Sequence, residues 1–293
     1  MSTPAPSGQS DHKALRVVFA RHPRRWRDNL YVYPVISRRA HGLSIGVNLN
    51  PDMACNFDCV YCCVDRTQTP RTRRVDLDVL RTELRTLVAN RAELFEQPEF
   101  SEVPAEYRRL NDLAFSGDGE PTACPVFPQA VQLAIDVRRE FDLSAAKIVI
   151  ITDACFLTRP AVAAALALLE QHNGEIWAKL DAGTEEYFRQ IARPSHSLAH
   201  VLENILAAAR VRPIVIQSLF LQLDGVGPAA VEIDAYIARL GELLAQGAQL
   251  KLVQVYTVAR RTAERGVSAL SAAELEQIAA RVRALGLQAD VFA

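Results

Sequence analysis

Three cysteines fall within eight residues, Cys55-Asn56-Phe57-Asp58-Cys59-Val60-Tyr61-Cys62, in the spacing C-x3-C-x2-C. Thiolates this close can converge on one metal centre, and iron–sulfur clusters are held by such thiolates. Three protein ligands on a four-iron cluster leave one iron free. A free iron can bind a small molecule and pass it an electron, so the pattern reads as chemistry as well as structure. A structural zinc site is the first alternative; it ordinarily pairs two Cys-x2–4-Cys clips far apart in sequence and needs a fourth ligand. Cys63 adjoins Cys62 and points poorly for the same tetrahedron, while Cys124 and Cys155 stand alone. A ferredoxin would place a fourth cysteine nearby in a spacing of its own. Cys63, Cys124 and Cys155 read as ordinary small buried residues.

The cysteine loop follows residues 43–48, a short apolar stretch that reads as a strand. Further strand-like runs lie at 112–115, 148–152, 175–180, 214–221, 252–256 and 287–292. Helical stretches separate them near 76–92, 127–140, 159–171, 198–210, 230–245 and 271–285. Thr158 ahead of Arg159-Pro160, and Ser271 three residues before Glu274, read as helix caps. Alternating strands and helices predict a parallel sheet with crossover helices. In parallel barrels ligands sit at the C-terminal ends of the strands, so the residues after each strand are the candidates.

After the second strand comes Ser116-Gly117-Asp118-Gly119-Glu120. Glycines let a backbone approach a ligand, and Glu120 can accept a hydrogen bond from an ammonium. The third strand ends in Thr152-Asp153-Ala154-Cys155, where the Asp153 side chain suits a ribose hydroxyl or a simple loop cap. Lys179 and Asp181 share one face at the end of the fourth. They read as a mutually satisfied ion pair, as contacts to a ligand carboxylate or ribose, or, for Lys179, as a reactive amine. Gln217 and Gln254 are polar residues in apolar runs and are expected to line the same cavity. His196 and His200 read as surface residues.

The chain has 293 residues, 49% hydrophobic and 23% charged, the composition of a globular protein able to bury a sizeable core. No apolar run reaches the ~18–20 residues of a membrane span. Residues 1–12 lack the marks of a signal peptide and are expected to be disordered. The expectation is a cytoplasmic protein with reduced thiols and no membrane partner. Residues 1–75 carry twelve Lys or Arg against five acids, although the whole chain is near neutral at −1. A basic surface beside the cysteines would track the phosphates of an RNA substrate. The alternative is a solvated face, or arginines paired with acids elsewhere.

The cysteine spacing with Tyr61 before the last cysteine, and the Gly117–Glu120 turn one strand later, resemble the radical S-adenosylmethionine (radical SAM) superfamily. Tyr31-Val-Tyr33-Pro34, Gly46-Val-Asn48-Leu-Asn50-Pro51, Lys179-Leu180-Asp181-Ala182 and Val253-Gln254-Val255-Tyr256 narrow the likeness to one group. It is the iron–sulfur oxidoreductase group related to the wyosine-type tRNA-modifying synthases, and the likeness covers roughly residues 30–260. It implies a partial (β/α)6 TIM-like barrel over 41–293 behind an N-terminal extension, 1–40. It also implies a [4Fe–4S] cluster on Cys55, Cys59 and Cys62, shielded by Phe57 and Tyr61. S-adenosylmethionine (SAM) would meet Gly117, Asp118, Gly119 and Glu120, with Thr152, Asp153, Asp181 and Gln217 as further contacts. A one-electron reductant such as flavodoxin or ferredoxin, reductive cleavage of SAM and a 5′-deoxyadenosyl radical complete the implied activity, with the substrate open. The wyosine synthases act on tRNA and carry a second cluster on further N-terminal cysteines. This chain has no cysteine before Cys55, which stands against the full tRNA reaction. Two other readings stay open: an iron–sulfur carrier or maturation protein, and a nucleic-acid-binding protein with structural zinc. The glycine turn argues against a carrier, which needs no amine site.

Overall fold

Runs such as Lys147-Ile-Val-Ile-Ile-Thr152 are apolar on both faces, as strands buried on both sides of a parallel sheet must be. In a computed structural model, which describes Phe19 and residues 26–293, they become such strands. The expected disorder over 1–12 lies outside the described residues, as do Lys13, Arg16, Arg21, Arg24 and Arg25 of the basic region.

The main sheet takes β1 (Val32–Ser37), β2 (Gly42–Val47), β3 (Leu110–Phe115), β4 (Lys147–Thr152), β5 (Gly174–Lys179), β6 (Ile214–Leu219), β8 (Leu250–Tyr256) and β10 (Ala289–Phe292). They lie side by side in that order. From β2 onward every neighbour is parallel, and β1 alone pairs antiparallel, to β2. Parallel neighbours need crossovers, and α1 (Leu77–Ala89), α2 (Phe127–Glu140), α3 (Pro160–Glu170), α4 (Glu185–Ala192), α5 (Leu198–Val211), α6 (Ala230–Ala245) and α7 (Ala272–Ala284) supply them. The sheet curls into a partial TIM-like barrel, the expected architecture. The large core lies between sheet and helices, and a small one of Ala114, Val149, Trp177 and Val215 fills the inside of the curl. Among the described residues no helix is long and apolar enough to cross a membrane.

Four local features depart from the sequence reading. β1 falls within the stretch assigned to an extension, so residue 40 lies in a hairpin turn and Val32–Ser37 is sheet. Glu83 on α1 holds that strand, accepting from the backbone N–H groups of Leu30, Tyr31 and Val32 at 2.7, 2.9 and 3.1 Å. α4 was not expected; Thr184 caps it and only Phe188, Ile191 and Ala192 are buried, too short a stripe to register as a period. The fifth run, 214–221, divides: after β6, β7 (Leu221–Leu223) leaves to pair with β9 (Val267–Ala269). Thr158 does not cap α3; its hydroxyl bonds the Asn204 side chain at 2.8 Å and Arg159 occupies the cap without a side-chain bond. Ser271 and Glu274 do form the expected capping box.

Candidate active site

The cysteine loop follows β2 and is held on more than one side. The Val60 and Asp58 N–H groups donate to Ile191 and Ala192 of α4 at 2.9 and 3.2 Å, and the Ser195 N–H donates to Asn56 at 3.1 Å. Phe57 packs edge-on against Phe188, ring centres 5.6 Å apart. Arg66 donates to the carbonyls of Met53 and, at 3.0 Å, Asp118, tying the loop to the glycine turn. The Ala263 N–H donates to the Cys62 carbonyl at 2.9 Å.

The glycines earn their place by close approach. A Cβ on Gly117 would overlap the Asn48 side chain, and one on Gly119 would overlap the Ala54 carbonyl oxygen. Gly119→Ala must therefore push the glycine turn off the cysteine loop. It is expected to cost about 1–3 kcal/mol and to lower iron bound per chain after reconstitution, measured by denaturant melts and iron assay.

One cavity of about 290 Å³ is lined by Cys55, Cys59 and Cys62, by Phe57 and Tyr61, and by Gly117, Gly119 and Glu120. Thr152, Asp153, Lys179 and Gln217, at the C-terminal ends of their strands, line it too. Three expected residues do not: Asp118, Asp181 and Gln254. Asp118 accepts from Asn48 Nδ2 at 2.7 Å and lines a neighbouring cavity of about 390 Å³. Asp181 sits behind the wall, 4% exposed. Its oxygens accept from the Tyr61 hydroxyl at 2.5 Å and the Leu219 N–H at 2.8 Å, and Lys179 Nζ lies 3.1 Å away. Gln254 is also withdrawn, accepting from Gln217 Nε2 at 2.7 Å. His196 and His200 are half-buried with stacked rings, 4.7 Å between centres, and His200 Nε2 meets the Cys155 carbonyl at 2.9 Å. Tyr256, which the sequence reading named only in the Val253–Tyr256 likeness and gave no site role, lines the cavity and accepts from Lys179 Nζ at 2.7 Å. Its signal was a polar tip closing the run that carries Gln254.

Glu120 is 3% exposed and accepts from the Thr122 N–H and hydroxyl, the Thr152 hydroxyl and the Asp153 N–H. Burial, with Asp153 close by, pushes its pKa up to about 8 despite those donors. Burial raises Asp153 as well. Asp153 Oδ1 accepts from the Cys155 N–H at 2.9 Å, whereas its buried Oδ2 has no partner among the described residues, nor has Gln217 Oε1. Two carboxylates and an orphaned oxygen facing one cavity suit a cationic or hydroxyl-bearing ligand. Burial of Lys179 works against its charge, but Asp181 and Tyr256 outweigh it and hold the ammonium protonated.

The donor set fits an iron–sulfur cluster. Burial pushes the Cys59 thiol up to about 12 and desolvation lifts Cys55 to about 11, so those two unliganded thiols are neutral. Bound metal supplies the positive charge that displaces those protons, and all-sulfur donors select soft centres. Among the described residues no trio of Cys, His, Asp or Glu gathers around a single ion. The three thiols instead share the wall of a cavity several times larger than one ion.

No family model matches the chain. The crystal structure of a radical SAM methyltransferase from Sphaerobacter thermophilus overlays 89% of this chain and 68% of its own, with a TM-score of 0.59 and 16% identity. The likeness is one of fold: the chain has the fold of a radical SAM enzyme, as the resemblance implied. The UPF0026 protein MJ1312 of Methanocaldococcus jannaschii is 32% identical over 180 residues, 59% of this chain and 46% of that protein. A protein named GTPase Obg from Brachyspira hyodysenteriae is 22% identical over 249 residues, 83% of this chain and 32% of that protein. The chain thus spans less than half the length of these curated relatives. The phosphate-cradling pattern Gly-x4-Gly-Lys-Ser/Thr does not occur in its sequence.

Proposed function

We propose that this chain is a radical SAM enzyme that cleaves S-adenosylmethionine reductively, with RNA the first substrate class to test. One observation carries the reading: the three motif cysteines and the Gly117–Glu120 turn line the same cavity at the C-terminal mouth of a half-barrel. When bound on Cys55, Cys59 and Cys62, a [4Fe–4S] cluster supplies the electron that splits SAM to methionine and a 5′-deoxyadenosyl radical. Glu120 and the unpartnered Asp153 Oδ2 receive the methionyl ammonium, and Gln217 Oε1 accepts from a ligand hydroxyl. Phe57 and Tyr61 wall the site from water. Lys179 serves as a fixed ammonium beside Asp181; borohydride trapping with carbonyl compounds, read by intact mass, should give no adduct on it. The electron comes from a one-electron reductant of flavodoxin or ferredoxin type. RNA comes first because Arg66 and Arg71 lie beside the cysteine loop in the described part of the basic region.

The test is anaerobic reconstitution with iron and sulfide, reduction, addition of SAM and mass spectrometry of 5′-deoxyadenosine. The parent chain should produce it and Cys59→Ala should lose it entirely. A spectroscopically sound cluster that yields none would replace this reading with an iron–sulfur carrier.

A further inference from the structure

The ends of the sheet, β1 and β10, leave the half-barrel open on one flank, and the β1–β2 turn reaches across it. Arg38 donates to the carbonyls of Ala293 at 2.7 Å and Thr257 at 3.4 Å on the far side. His41 meets the Phe292 ring, centres 6.0 Å apart. Arg39 turns inward, its guanidinium carbon 4.8 Å from the centre of the Tyr256 ring and 5.9 Å from that of Trp177. Arg38 and Arg39, with Trp177 and Tyr256, line the cavity that holds the cysteines.

Arg39 is half-buried, yet among the described residues it has no hydrogen-bond or ion-pair partner. A guanidinium carries five N–H donors in a fixed fork, and its place near the two ring centres gives those donors no oxygen acceptor. Cation–π contact returns only about 0.5–2 kcal/mol, short of what a charge loses on leaving water. The donors therefore call for an acceptor that the described residues do not provide. Of the carboxylates facing this cavity, Asp112 and Glu120 are otherwise engaged, and Asp153, whose Oδ2 is unpartnered among the described residues, makes no bond to Arg39. Asp112 accepts from the Ser44 hydroxyl and attracts Arg39 only at a distance; Glu120 is bonded to Thr122 and Thr152. Positive charge accumulates here instead. Burial, then Arg39 and Arg260, lower Arg38 to about 10.

The geometry points to an oxyanion subsite: Arg39, set over Tyr256 and near Trp177 with Arg38 and Arg260 beside it, takes a carboxylate or phosphate group of the substrate inside the half-barrel. This rests on the cavity being the reaction chamber proposed above, and names the chemistry of the molecule that enters it.

Phenylglyoxal labelling of the reconstituted full chain tests it, with Arg39 followed by peptide mass spectrometry and the exposed Arg281 as reference. The medium is chloride at constant ionic strength, with inorganic phosphate in one arm and acetate in another. For a site of Kd about 5 mM, roughly 50 mM anion should slow Arg39 modification about tenfold without affecting Arg281. Slowing by phosphate alone identifies a phosphorylated substrate, slowing by acetate alone a carboxylic acid, and slowing by both a subsite open to either. Equal rates in all media would overturn the proposal, as would an Arg39 that chloride medium leaves unlabelled, because no cavity solute would then reach it. Protection by SAM alone would reassign the subsite to that molecule's own carboxylate. The assay needs no reductant and no SAM cleavage. Its failure therefore leaves the radical reading intact, and failure to form 5′-deoxyadenosine leaves a protected Arg39 intact.

Discussion

Replacing Lys179 with methionine is expected to cost about 3–5 kcal/mol of folding stability, the usual result of removing one partner of a buried ion pair. Methionine keeps the length and the apolar stem, so the loss falls on the charge. Asp181 would keep the Tyr61 hydroxyl and the Leu219 N–H, two neutral donors for a carboxylate only 4% exposed. Lys179 also bridges to the Tyr256 hydroxyl and lies 5.0 Å from the centre of the Tyr61 ring, contacts that methionine replaces only through packing. Adding Asp181→Asn to the variant removes the stranded charge and should recover about 2 kcal/mol, a coupling that identifies the pair as the cause. The folded-state pKa of Lys179 is raised, so its stabilisation is fully present below the ordinary lysine value and is lost only as pH climbs through the raised one, in strong alkali. The deficit should therefore be the same at pH 6 and pH 9. Denaturant melts of the parent, the single variant and the double variant under reducing conditions measure all of this. A Lys179→Met protein within about 1 kcal/mol of the parent would mean that the pair bears little stability and that Lys179 is held for ligand contact alone.

The parts of this site legible in the sequence are those fixed by neighbours along the chain. The cysteine spacing needs only a loop, and the glycines announce close approach wherever the chain goes next. The strands were legible because both faces are buried, and α2 and α6 fell on their expected residues, 127–140 and 230–245. What stayed hidden depends on partners distant in sequence. Asp118 and Glu120 sit in one turn, yet Asn48 draws the first side chain away from the cavity while Thr152 and Asp153 hold the second within it. α4 has two turns and little period of its own, but without it the cysteine loop would lose its backbone partners at Ile191 and Ala192. Arg39 read as one of many basic residues in a charged region. Only closure of the hairpin against Thr257 and Tyr256, more than two hundred residues later, turns it inward. Asp112 read as the start of a strand, because the Ser44 hydroxyl that satisfies it comes from the neighbouring strand.

The carboxylate pair at the cavity wall makes the stability of the free protein depend on pH in an unusual direction. Glu120 titrates at about 8, raised by burial and by Asp153. A raised carboxyl contributes stability that is fully present below its ordinary value near 4.5 and is lost as pH rises through about 8. The ligand-free chain should thus weaken between pH 5 and pH 8, where most proteins are near their optimum. Asp153→Asn removes the like charge while its retained oxygen still accepts from the Cys155 N–H. The variant should match the parent at pH 5, be more stable by about 2 kcal/mol at pH 8 and show a flatter profile between. An unchanged slope would assign the pH dependence to other groups. A bound ammonium relieves the same repulsion from outside the chain, so the variant and the ligand compete for one gain. SAM should therefore raise the melting temperature of the parent at pH 8 more than that of Asp153→Asn, and more at pH 8 than at pH 5. Equal shifts in both proteins would place the ligand's amine elsewhere in the cavity.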